Sequence, residues 1–111
     1  MTELKSITKQ LLQACKNIMS LSNEINQGGE VKDIDFFLDN LRINYTVMIE
    51  LFMQIPPQQN PFVSQEDLRG QVDFVNNSIN KDNLGRLIFN ITSEIPVLKT
   101  KLEKALETLW K

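Results

Sequence analysis

The chain contains no histidine, one cysteine (Cys15), one tryptophan and one tyrosine among its 111 residues. The lack of histidine removes Ser-His-Asp and Cys-His nucleophilic systems, histidine general acid–base work, histidine metal sites and phosphohistidine relays. A lone cysteine forbids an intramolecular disulfide and favours a reducing compartment. No apolar run approaches the roughly 18 residues of a membrane span. The opening segment, MTELKSITKQLLQACKNIMS, is amphipathic and lacks the continuous apolar core of a secretory signal. A cytoplasmic location without membrane insertion is therefore expected. The formal net charge of −2 gives no electrostatic footprint for nucleic acid. The mild lysine cluster at Lys99, Lys101, Lys104 and Lys111 is interleaved with Glu103 and Glu107, as on a solvated helix face. Sequons at Asn44, Asn76 and Asn90 are expected by chance in a chain this rich in asparagine.

What is present is helical periodicity. Leu4, Ile7, Leu11, Ala14, Ile18, Leu21 and Ile25 alternate steps of three and four, and Leu12, Cys15 and Met19 widen the stripe. Cys15 then reads as a small core-flanking hydrophobe. Gly28-Gly29 marks the end of this first helix. Val31, Ile34, Leu38, Leu41, Tyr45, Met48 and Phe52 form the seam of a second helix, stopped at Pro56. So short a connection makes the two helices antiparallel neighbours. Ser64 and Asp67 have capping-box spacing, with Val63 and Leu68 as the hydrophobic staple of a third helix. Its stripe, Leu68, Val72, Val75 and Ile79, ends where further steps would bury Asp82 and Arg86, and Asn80–Asn83 supplies turn chemistry. A fourth helix carries Leu84, Ile88, Ile91, Ile95, Leu98, Leu102, Ala105 and Leu109 in one phase across Pro96, which predicts a kink there. Trp110 reads as a lid on the core. The predicted fold is all-α: one domain over residues 1–111, an antiparallel up-down-up-down four-helix bundle with a short third helix and a kinked fourth.

The lengths do not match. Three helices of roughly 25 residues are about 38 Å long, and a third helix of about 16 residues is some 24 Å. Either a groove stays open or the 55–63 segment covers it. Ile55, Phe62 and Val63, with Pro56, Pro57 and Pro61, can lie over the gap as a strap, or Phe62 and the prolines can present a docking loop. The second half of helix two is apolar nearly all round, at Ile43, Val47, Met48, Ile49, Leu51, Phe52 and Met53. That predicts cover by the loop or by another chain. Helix one shows a neutral polar face, Thr8, Gln10, Gln13, Asn17, Ser20 and Asn23, which suits an interface better than a charged one does. Val47, Phe52, Met53 and Phe62 are the candidate partner-binding residues.

No catalytic, cofactor-binding or metal-ligating set is visible. Asp33, Asp35 and Asp39 cluster, but no Glu-x-x-His completes a di-metal bundle site, and they suit the positive end of a helix dipole. Leu68-Arg69 and Val72-Asp73 resemble the opening Leu-Arg-x-x-Ile-Asp-x-Ile-Asp of helical chorismate mutases; Asn76 replaces the second Asp, and the segment is a short third helix rather than a long first one, so no residue role is carried over. Small export chaperones and bacteriocin immunity proteins are similar in size and helical make-up, an analogy of fold only. The expected function is a non-enzymatic protein–protein interaction module: an adaptor, specialised chaperone, inhibitor or small subunit. It would bind another protein or itself through an apolar groove near the end of helix two and the 55–63 loop, without a cofactor. The alternatives are an immunity-like protein acting at the cytoplasmic face of a membrane receptor and, lower, a small all-helical enzyme.

Overall fold

A computed structural model describes residues 2–108. Helices α1 (Thr2–Ser20), α2 (Ile34–Met53), α3 (Gln65–Asn77), α4 (Leu84–Phe89) and α5 (Ile95–Thr108) build a four-helix bundle. The last two are segments of one bent helix, joined by a π turn at Asn90–Glu94. The seam of α1 is buried from Leu4 to Leu21. It packs chiefly against α2 and α5, so α1 is the element around which the core forms. Thr8 does not stand on the polar face expected for it but is fully buried, and its hydroxyl donates to the Leu4 carbonyl at 2.7 Å, which meets its hydrogen-bonding need locally.

Helix one ends earlier than its periodicity predicts. After Ser20 the chain tightens into a 3-10 turn, Leu21–Glu24, and Ile25 is extended and bridges Val31. The glycine pair sits in the turn between them. Gly29 has φ +82°, a conformation that favours glycine, and its N–H closes the turn on the Asn26 carbonyl at 2.9 Å. Helix two accordingly starts at Ile34, with the Asp33 carboxylate accepting from the Phe36 N–H at 3.1 Å.

The capping box of α3 is complete: the Asp67 N–H donates to Ser64 Oγ at 3.0 Å and the Ser64 N–H to Asp67 Oδ2 at 3.2 Å. The stripe of α3 differs from the one expected. Val72 is exposed, and Phe74 packs inward beside Val75. In the fourth helix Leu87 is fully buried where Ile88 was expected to be, and Ile88 is half-buried. The π turn explains this: an extra residue in one turn rotates the segment before it relative to the segment after it. Pro96 bends the helix without breaking it. It offers no N–H to the carbonyl four residues back, and the widened turn absorbs the defect, with the Ile95 N–H donating to the Asn90 carbonyl. Leu109 and the Trp110 lid lie outside the described residues. No helix among the described residues is long and apolar enough to cross a membrane.

Candidate functional site

The third helix is held at its ends and left open along one side. Not one residue of the thirteen in α3 is buried. It packs on α2, while its approach to the fourth helix is slight. At its N-terminal end Phe62 and Val63 tuck half-buried beneath the loop, and the Phe62 ring lies 6.4 Å from that of Phe52. At its C-terminal end Phe74 sits between Tyr45, at 5.5 Å between ring centroids, and the Arg86 guanidinium, at 5.7 Å. Such aromatic pairs contribute about 0.5–1.5 kcal/mol and a half-exposed cation–π contact about 0.5–1 kcal/mol. Arg42 Nη2 also donates to the Ile79 carbonyl at 2.9 Å, tying the turn after α3 to α2.

Between these anchors runs a groove of about 480 Å³. Tyr45, Met48 and Ile95 form its floor, Gly70, Gln71 and Phe74 one wall, and Asn90, Glu94 and Leu98 the other. Its rim carries both signs: Glu66 and Asp67 on α3, Arg86, Glu94 and Lys101 on the fourth helix. The π turn matters here, because Asn90 and Glu94 are the residues with which it lines the wall. Two features of the α3 wall are unfinished. A Cβ added at Gly70 would meet no atom within 4 Å. The Gln71 amide oxygen is buried and finds no donor among the described residues, a condition that costs about 1–3 kcal/mol.

Burial pushes the pKa of the Tyr45 hydroxyl up, the Glu94 carboxylate adds to this, and a hydrogen bond with Asn90 opposes it. The phenol therefore stays neutral at physiological pH. The single thiol is elsewhere. Cys15 is fully buried in the core, and burial pushes its pKa up to about 12, with Lys99 acting slightly the other way, so it is no thiolate nucleophile at neutral pH. Among the described residues no three His, Cys, Asp or Glu side chains converge as a metal site.

The four residues singled out from the sequence do not form one patch. Phe62 lines one end of the groove. Phe52 has no exposure at all and is a core residue rather than the edge of a surface. Met53 is 68% exposed, at the lip of a narrow cleft of about 90 Å³ beneath the loop. Val47 is exposed on a different face of α2, beside α1. The 55–63 segment acts as a strap: Ile55 is buried, Phe62 and Val63 are half-buried, and all three prolines are exposed. Asn60 fixes its course by accepting from the Phe62 and Val63 N–H groups at 3.0 and 3.2 Å. Gly70, Gln71, Arg86, Glu94 and Lys101 escaped the sequence reading. A glycine in the middle of a short helix was the one signal that pointed to the wall. No protein-family model, no curated protein and no solved structure matches the chain, so the groove stands on its own chemistry.

Proposed function

We propose that the protein is a non-enzymatic interaction module whose groove between α3 and the fourth helix takes a segment of a partner protein. The observation that carries this reading is a helix of thirteen residues with no buried side chain. Helices in proteins owe most of their stability to a packed face, and that of α3 is thin: Leu68, Phe74 and Val75 are only half-buried against the core, and Glu66, Asp67 and Gly70 stand exposed along the groove. A bound segment would complete that packing. Apolar side chains would rest on Tyr45, Met48 and Ile95, and the bare backbone at Gly70 would allow close approach. The mixed charge of the rim would orient the segment. Apolar residues at helical spacing in an amphipathic partner helix match such a groove.

Selection from a random peptide library followed by amide NMR mapping tests this. Binding peptides are expected to shift Gly70, Gln71, Glu94 and Lys101. Gly70→Trp, which fills open space, is expected to lower affinity at least tenfold with an unchanged helical signal. Peptides that bind equally well to Gly70→Trp, or that shift only distant amides, would remove the groove from the reading.

A further inference from the structure

A second surface is independent of the groove. On the outer side of α1, Ser6, Gln10, Gln13, Asn17 and Ser20 recur at steps of four and three, and every one is exposed and uncharged. Beside them on α2 stand Phe36, Ile43 and Val47, exposed at 49%, 60% and 42%. A shared cleft lined by Asn17, Ser20, Phe36 and Asn40, with Glu24 as its one charged residue, joins the two stripes. The result is a face nearly free of charge with an apolar ridge, in a chain where nearly a quarter of the residues are charged (23%).

The charges at its margins are sorted. By the 3.6-residue period, Lys9 and Lys16 flank the α1 stripe on the side away from α2, while Asp39 and Glu50 flank the α2 stripe on the side away from α1. All four are exposed. Asp39 has Arg42 at 3.3 Å; Lys9, Lys16 and Glu50 are in no ion pair among the described residues. The levels along the bundle also match. Asn17 and Asn40 meet in the shared cleft, which puts Lys16 level with Asp39. Because the helices are antiparallel, Lys9 lies about 12 Å and Glu50 about 15 Å from that level in the same direction.

We propose that this face binds a second copy of the chain about a twofold axis that lies in the interface and runs parallel to the helices. That operation keeps every residue at its level and exchanges the two margins. Lys16 of each copy then faces Asp39 of the other, and Lys9 faces Glu50, while α1 lies over the other copy's α2 with opposite direction. A twofold running across the helices would instead set lysine margin against lysine margin and acid against acid. The centre needs no charge partner, since amides both donate and accept and the Phe36–Val47 ridge is apolar. The two stripes offer some 400 Å² in plan per copy, and the margins add to it, which places the contact at the smaller end of specific interfaces and makes the dimer weak and reversible. Arg42 and Tyr45, which hold α3, lie on the other side of α2, so the dimer leaves both grooves open.

Sedimentation velocity of the full chain from about 1 to 200 μM tests the proposal, with circular dichroism melts to verify folding. A concentration-dependent dimer is expected. Ile43→Lys should raise its dissociation constant at least tenfold, and Phe89→Lys, an exposed apolar site on the fourth helix, should leave it unchanged. Lys9→Glu and Glu50→Lys should each weaken the dimer, and the double variant should restore it, because the swap re-forms the pair with reversed signs. A chain that stays monomeric at every concentration, or a dimer indifferent to Ile43→Lys, overturns the proposal. A double variant as weak as the singles overturns the parallel axis and the pairing with it.

Discussion

Replacing Gly70 by alanine is expected to stabilise the protein, and the size of the gain reports whether the groove is open in solution. Gly70 lies in the interior of α3, with the complete Ser64–Asp67 capping box before it and more than a turn of helix after it. Its φ is not positive, so an L side chain is not strained there. In that setting glycine is less favourable than alanine by about 0.8–1 kcal/mol, because it surrenders more backbone freedom on folding. The usual offset, a clash of the new Cβ, is missing, since beyond the helix's own backbone and its chain neighbours no atom lies within 4 Å of where it would sit. Nor is there a burial gain to add. The expected change is therefore close to the propensity difference, and in a domain of this size it raises the melting temperature by about 4 °C. A thermal melt followed by circular dichroism at 222 nm, with a denaturant titration to verify an unchanged slope, measures it. Destabilisation by about 1 kcal/mol or more would refute the reasoning, because it would mean that α3 closes on the fourth helix and the added carbon meets packed atoms.

Four other outcomes can be measured on the same footing. Ser64→Ala removes the acceptor for the Asp67 N–H and should cost about 1 kcal/mol, whereas Leu41→Ala, at zero exposure in the centre of α2, should cost about 2–5 kcal/mol; equal, mild losses in denaturant melts would contradict the placement of Leu41. Cys15 should resist thiol reagents in the folded protein and react on unfolding. Its proton is held more tightly in the folded chain, so stability is undiminished below about pH 8 and falls as pH rises through 9 towards 12. Melts of Cys15→Ala across that range should show a shallower decline, and a decline of the same slope would assign it to other groups.

The helices were legible because each carries its own signal. The α1 seam, the Ser64–Asp67 box, the turn at Asn80–Asn83 and the proline bend are local patterns, and local patterns survive whatever packs on them. The errors came where one element depends on another. Helix one continues its apolar spacing through Ile25, but the turn closed by Gly29 draws that residue into a bridge with Val31. Val72 fits the stripe of α3, yet Phe74 takes the inner place because Tyr45 and Arg86 wait for it on other helices. Leu87 replaces Ile88 because the π turn shifts the phase, and nothing in residues 84–89 announces a defect several positions later.

The candidate site shows the same division. The sequence by itself determined that the third helix is short, that a cover or an opening must exist beside it, and that the α1 surface is neutral. It did not determine which side of α3 stays open. Phe52 fits both the apolar seam of helix two and an all-round apolar surface, and only the packed structure decides that it is core while Phe62 of the strap stays half-buried beside it. Gly70, Gln71, Glu94 and Lys101 are distant in sequence and none is unusual alone. They become a groove because two anchors hold α3 at its ends while its middle stands away from a fourth helix bent at Pro96. Periodicity records which face of a helix is apolar. The distance between two faces depends on every side chain that wedges between them, and that is settled only when the helices pack.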